Sequence, residues 1–130
     1  MGKLVLIVDD DTEVRDAIRV MLETYGYSVR EAGDAHEASR AIDAERPDLI
    51  LTDIYMPAGD GFELMTAVRE GRSPIPIVAM SGNNQAGMVD YLDLARKLGA
   101  VGIIDKPFRV SNLLEMIDRA IAGRGTPARR

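Results

Sequence analysis

Cysteine is absent from the 130 residues, histidine occurs once, and aromatic side chains are few, with two phenylalanines, four tyrosines and no tryptophan. Without cysteine there is neither a disulfide framework nor a thiolate metal site. The one histidine, His36, falls in a predicted helix and is read as a solvated surface residue rather than a ligand or a phosphohistidine. No apolar run approaches the roughly 20 residues of a membrane span, and nothing resembles a signal peptide, so a soluble, cytoplasmic protein is expected. A basic excess is lacking too. Sixteen Lys plus Arg stand against 21 Asp plus Glu, and the net charge of -5 argues against direct binding of nucleic acid by this domain. Protein partners and divalent cations suit it better.

What remains is the composition of a globular chain, 46% hydrophobic and 28% charged, of a length that fits one domain with one good core. It is organised around Leu49 to Gly61, LILTDIYMPAGDG. Leu49-Ile50-Leu51 has the composition of a strand buried on both faces, and it delivers a carboxylate, Asp53, at its C-terminal end. Met56-Pro57 and Gly59-Asp60-Gly61 then force a turn, which puts Asp53 at a strand-to-loop junction, where α/β sheets place their chemistry. A lone Asp there would be an ordinary helix cap. Two further segments argue for more.

Leu4 to Val8 is a second apolar strand, and it runs into Asp9, Asp10 and Asp11. Thr12 and Glu13 open a helix with Val14, Ala17, Ile18, Met21, Leu22 and Tyr25 at helical spacing, closed by Gly26. Capping accounts for Asp11 and Glu13 but not for three acids in a row. Tyr27 to Ala32 reads as a less apolar, edge strand, and Ala35 to Glu45 as a helix resting on Ala38, Ala41 and Ile42. Phe62, Leu64, Met65 and Val68 mark a helix ended by Gly71, and Ile75 to Met80 is a buried strand ending in a hydroxyl, Ser81. Gly82 to Gly87 is a loop of flexible composition. The next helix carries Met88, Tyr91, Leu92, Ala95 and Leu98 and stops at Gly99. Val101 to Ile104 forms a fifth strand that leads into Asp105-Lys106-Pro107-Phe108, and a last helix carries Val110, Leu113, Leu114, Ile117, Ala120 and Ile121. Gly123 to Arg130 is expected to be a flexible tail or linker stub.

Five strand-helix units with short right-handed connections require a mostly parallel sheet covered on both faces, with every strand C-terminus on one edge. Asp9, Asp10, Asp53, Ser81 and Lys106 are therefore expected to converge. Carboxylates ~4 Å apart repel by ~4 kcal/mol per pair at an effective dielectric near 20. A hard divalent cation with oxygen ligands, Mg2+ first, is expected to neutralise them beside the compact charge of Lys106. With no glycine-rich phosphate loop in view, acids, Mg2+, an ammonium and a hydroxyl point to a phosphoryl group received by a carboxylate.

Taken together, Asp9-Asp10, Asp53 followed by Met56-Pro57 and Asp60-Gly61, Ser81, and Lys106-Pro107-Phe108 resemble the receiver domain of bacterial two-component response regulators, the CheY-like family, over Lys3 to about Ala122. The resemblance implies a receiver domain at 1–122 and a tail at 123–130. The implied fold is α/β and flavodoxin-like, a (βα)5 doubly wound sheet of five parallel strands in the order 2-1-3-4-5. The implied function is that of a phosphoacceptor signalling module. It is not an enzyme beyond its own phosphorylation and autodephosphorylation, and Asp53 takes a phosphoryl group from a phosphohistidine on a histidine kinase or histidine phosphotransfer protein. Its output surface of fourth helix, fifth strand and fifth helix then changes for a downstream protein target or an output domain.

Residue by residue, the resemblance implies that Asp10 and Asp53 bind Mg2+ through carboxylates, Asp9 mainly through water, and Tyr55 through its backbone carbonyl. Ser81 gives its hydroxyl to the phosphoryl group, Lys106 pairs with a phosphoryl oxygen, and the Lys106-Pro107 peptide is cis. One departure is Ile103, which stands where the family commonly has an aromatic residue, so the loop from Ser81 to Met88 is expected to report activation instead of a swinging ring. Tyr55 is further expected to shade the approach of water to an acyl phosphate, and Asn83 to orient a water against it.

The alternative is a Mg2+-dependent phosphatase with an Asp nucleophile, of the haloacid-dehalogenase kind, but that class usually carries a second Asp where this chain has Tyr55. An FMN carrier of the flavodoxin kind would need a phosphate loop where Asp9-Asp10-Asp11 would repel one.

Overall fold

Short apolar runs, and one less apolar segment, become the five strands of one parallel sheet: β1 (Leu4–Val8), β2 (Ser28–Ala32), β3 (Leu49–Asp53), β4 (Ile77–Ser81) and β5 (Ala100–Asp105). The computed structural model describes residues 2–54, 60–71, 75–82 and 88–123. The strand order is 2-1-3-4-5, and every neighbouring pair is parallel. All residues of the central strands β3 and β4 are buried, whereas β2 alternates between exposed and half-buried until Ala32, as the lower apolar content of an edge strand requires.

Helices α1 (Thr12–Thr24), α2 (Ala35–Ala44), α3 (Asp60–Arg69), α4 (Met88–Lys97) and α5 (Val110–Gly123) alternate with the strands. Because successive strand side chains point to opposite faces, the core divides in two. Leu6, Val8, Ile50, Ile77 and Ala79 pack with Ala38 of α2, Leu64, Met65 and Val68 of α3 and Ala95 of α4. On the other face Val5, Ile7, Leu49, Leu51, Val78 and Met80 meet Ile18 and Leu22 of α1 and Leu113 and Ile117 of α5. This is the doubly wound sheet expected from the sequence, and the Lys106-Pro107 peptide is cis. Among the described residues no helix is long and apolar enough to cross a membrane.

Element ends differ from the sequence expectation by one or two residues, and β4 begins at Ile77 rather than Ile75. Strand β2 begins at Ser28 rather than Tyr27, because the Tyr27 N–H donates to the Leu22 carbonyl at 3.0 Å while Gly26 N–H donates to Glu23 at 3.1 Å. These are the two bonds of a Schellman stop, with Gly26 at φ 94 supplying the left-handed residue. Helix α2 ends at Ala44, with Glu45 already extended as its C-cap. Strand β5 is longer than expected, and its pairing with β4 slips after Ile77, which pairs with Ala100 while Val78 pairs with Gly102. Val101 is the extra residue of this bulge and is 59% exposed.

Candidate functional site

The C-terminal edge of the sheet collects the polar residues that the core excludes. Asp9 follows the last residue of β1, Asp53 is the last residue of β3, Ser81 the last of β4, and Lys106 follows β5. Asp9, Asp53 and Ser81 are buried, at 1%, 7% and 4% exposure, while Asp10 is exposed. Asp9, Asp10 and Asp53 each bring a carboxylate oxygen within 4.8 Å of the other two.

The Lys106 ammonium closes this group. Its Nζ donates to Asp9 Oδ2 at 3.1 Å and lies 3.5 Å from Asp53 Oδ2. The lysine is itself held by its backbone, whose N–H donates to the Ser81 carbonyl at 2.7 Å and so continues the β4–β5 ladder one residue past the strand. Burial works to lower the Lys106 pKa, but attraction by Asp53 and the hydrogen bond to Asp9 prevail and leave it above its ordinary 10.5. The lysine is therefore a fixed positive charge at any physiological pH.

Every polar atom of Asp9 has a partner. Its N–H donates to the Ala32 carbonyl of β2 at 3.1 Å, and its carbonyl accepts from Arg15 Nη1 at 2.6 Å. Its Oδ1 accepts from the Asp11 N–H at 2.9 Å, and its Oδ2 from Lys106. Asp11, by contrast, is spent on the helix. Its Oδ1 accepts from the N–H groups of Glu13 at 3.0 Å and Val14 at 3.3 Å as the N-cap of α1. The acid triplet of the sequence thus divides into two members of the site and one cap.

Three carboxylates and one ammonium leave two negative charges. At ~4.8 Å and an effective dielectric of about 20, each carboxylate pair repels by about 3 kcal/mol. Oxygen donors alone, in a group short of two positive charges, match a hard divalent cation rather than a soft or nitrogen-preferring one.

Gly61, in the first turn of α3, is a feature of the site whose reason the sequence does not show. A Cβ there would stand 2.5 Å from the Asp53 carbonyl oxygen and 2.9 Å from that of Ile54, so α3 starts against the end of β3 only because residue 61 has no side chain. Arg15 was missed altogether by sequence reasoning, since a polar residue on an amphipathic helix is ordinarily a solvated one. Tyr55, Met56, Pro57 and the Asn83-Asn84 loop lie outside the described residues, and of Asp60 only the backbone is described.

The response regulator receiver domain model matches residues 5–118. The chain is 36% identical over 123 residues to the nitrogen assimilation regulatory protein NtrX of Azorhizobium caulinodans, covering 93% of this chain and 26% of that protein. It is 34% identical over 117 residues to the transcriptional regulatory protein FixJ of Bradyrhizobium diazoefficiens, covering 90% of this chain and 56% of that one. The chain thus spans between about a quarter and somewhat over half the length of these two relatives. Among solved structures, the CheY-like response regulator receiver domain protein of Methanospirillum hungatei superposes with a TM-score of 0.85 at 30% identity, covering 96% of this chain and 98% of that one. With the fold, the acidic edge and the inward lysine in agreement, the chain belongs to the response regulator receiver domains, the phosphoacceptor signalling modules of two-component systems.

Proposed function

We propose that Asp53 is the phosphoacceptor and that the donor is a phosphohistidine on a histidine kinase or histidine phosphotransfer protein of the cytoplasm. An Asp53 carboxylate oxygen attacks phosphorus and forms the P–O bond of an acyl phosphate. The P–N bond to the donor imidazole breaks, and its electron pair stays on the ring nitrogen, which takes up a proton. Mg2+ held by Asp9, Asp10 and Asp53, with the Tyr55 carbonyl, would neutralise charge on the transferring group. Lys106 moves its ammonium from the two carboxylates to a phosphoryl oxygen, and Ser81 presents its hydroxyl from the end of β4.

The observation that carries this reading is the position of Lys106 Nζ, 3.1 Å from Asp9 and 3.5 Å from Asp53. The ammonium is shared by two carboxylates and stands where a phosphoryl oxygen on Asp53 would need it. The chain acts as a switch rather than an enzyme. The reader of the phosphorylated state is a downstream protein or an output domain of the kind that would account for the greater length of the relatives.

Incubation with acetyl phosphate, with and without EDTA, followed by intact mass tests the reading. One phosphate is expected on wild type with Mg2+, none with EDTA, and none on Asp53→Ala. A phosphate on Asp53→Ala overturns the assignment. Steady turnover of a chromogenic phosphomonoester would favour the phosphatase alternative.

A further inference from the structure

We infer that Arg15 is a positioning residue for the acidic loop, holding the Asp9-Asp10 peptide in the orientation that lets both carboxylates face Asp53. This rests on the proposal that these acids hold Mg2+.

Arg15 leaves the first turn of α1 and turns back toward the sheet, with only 16% of its side chain exposed. One arm, Nη1, donates to the Asp9 carbonyl at 2.6 Å, and Nε donates to Glu31 Oε1 on β2 at 3.1 Å. Glu31 is fixed in turn, because its Oε2 accepts from Arg19 Nε at 2.7 Å. The guanidinium therefore ties the loop after β1 to the edge strand β2. Asp9 N–H to Ala32 carbonyl makes a second tie between the same two segments.

A bond to the Asp9 carbonyl fixes the plane of the Asp9-Asp10 peptide, because that oxygen and the Asp10 N–H belong to one rigid unit. Asp10 needs this support more than its neighbours. Asp9 is held by Asp11 and Lys106, whereas Asp10 is exposed and no hydrogen bond to it is found among the described residues. Its aim depends on its backbone. Arginine suits the task because its planar fork serves the carbonyl and Glu31 together, which a lysine ammonium at the end of a flexible stem does not. The charge of Arg15 is balanced by Glu31, so its effect on the metal is one of geometry rather than of added repulsion. Partners behind metal ligands are typically worth about 10- to 100-fold in metal affinity.

Calorimetric titration of wild type, Arg15→Gln, Arg15→Lys, Glu31→Gln and Arg19→Gln with Mg2+, beside amide exchange of the metal-free proteins by NMR, is the test. Arg15→Gln is expected to weaken Mg2+ binding by about tenfold and to speed exchange at the Asp11 N–H, which is bonded within the same loop. Arg15→Lys should recover part of the affinity. Arg19→Gln, which touches Glu31 but not Asp9, should change affinity less than Arg15→Gln does. If Arg15→Gln fails to fold, Glu31→Gln carries the test, since it weakens the charge-assisted bond of Arg15 to β2 while leaving the Asp9 contact, and a smaller loss of Mg2+ affinity with faster Asp11 exchange is expected. Mg2+ affinity equal to wild type in the folded variant, or an equal loss in Arg19→Gln, overturns the inference. A wild type that binds no Mg2+ overturns the metal reading and this inference with it.

Discussion

Lys106 Nζ donates to Asp9 Oδ2 at 3.1 Å, joining the loops after β5 and β1 across the C-terminal edge of the sheet. The two residues are 97 positions apart in sequence, and their pairing brings a positive charge to the buried carboxylates. Replacing the lysine by methionine keeps the stem and removes the charge. Lys106→Met is expected to destabilise the metal-free protein by about 1 to 2 kcal/mol, the scale of a charge-assisted hydrogen bond discounted for partial exposure. Mg2+ should stabilise the variant more than wild type, because the unneutralised charge of the group rises from two to three. Thermal melts with and without Mg2+ check this, and equal responses to the ion would contradict it.

The same pair sets a pH window. The Lys106 pKa is raised above its ordinary 10.5, so its contribution to stability is fully present below that value and is lost as pH rises through the folded pKa. The stability difference between wild type and Lys106→Met should be constant from neutral pH to about 10 and shrink above it. Urea midpoints at a series of alkaline pH values would show this. A difference that fades near neutrality would mean that the ammonium is not what Asp9 and Asp53 depend on.

Asp9 and Asp10 should not respond alike to amide substitution. Asp10 is exposed and lends its carboxylate to no described hydrogen bond, so Asp10→Asn relieves repulsion at little loss. Asp9 accepts from both Asp11 and Lys106, and an amide cannot satisfy two donors with two oxygens. Metal-free Asp10→Asn is expected to melt a few degrees above wild type, a shift that corresponds to about 1 kcal/mol in a domain of this size. Asp9→Asn should melt below wild type. A uniform rise across both variants would show repulsion to outweigh hydrogen bonding at Asp9.

Two glycines beside the site differ in the room they leave for a side chain. A Cβ at Gly61 would meet the Asp53 carbonyl oxygen at 2.5 Å, and backbone cannot be moved aside there without moving Asp53. At Gly82 the nearest atoms are carbons of the Lys106 stem at 3.6 to 4.0 Å, an ordinary contact. Gly61→Ala is expected to cost about 1 to 3 kcal/mol and to slow acyl phosphate formation, while Gly82→Ala is tolerated. Melting curves and phosphorylation by acetyl phosphate decide between them.

The contrast also shows what the sequence can carry. The central strands are legible because residues 49–51 and 77–80 are continuously apolar, and the edge position of β2 shows in its lower apolar content. Asp9, Asp53 and Lys106 are legible because chain order places every strand end on one edge. The bulge at Val101 is not, since one extra residue leaves no mark on composition. Neither is Arg15, whose contacts with Asp9 and Glu31 arise only when α1 has been laid against β2. Gly61 reads as turn chemistry in the sequence, and its actual reason, the closeness of α3 to the end of β3, exists only in three dimensions.

Ile103 bears on how phosphorylation is passed on. It pairs with Ala79 in the β4–β5 ladder and packs, half-buried, on the cluster that holds Ile77 and Ala95. An aliphatic side chain packed there has no polar tip to exchange between partners and no large ring to swing, so a signal from the site is expected to travel by another path. Ser81 is the last residue of β4 and is followed by Gly82, a residue type that changes backbone conformation at low cost. Amide exchange measured with Mg2+, with and without beryllofluoride as a phosphoryl mimic, is expected to change at residues 82–88. The β5 amides of Ile103 and Ile104 should keep their protection, because their ladder to β4 is not disturbed. Altered exchange confined to β5, with 82–88 unaffected, would place the relay in the strand and remove the loop from the path.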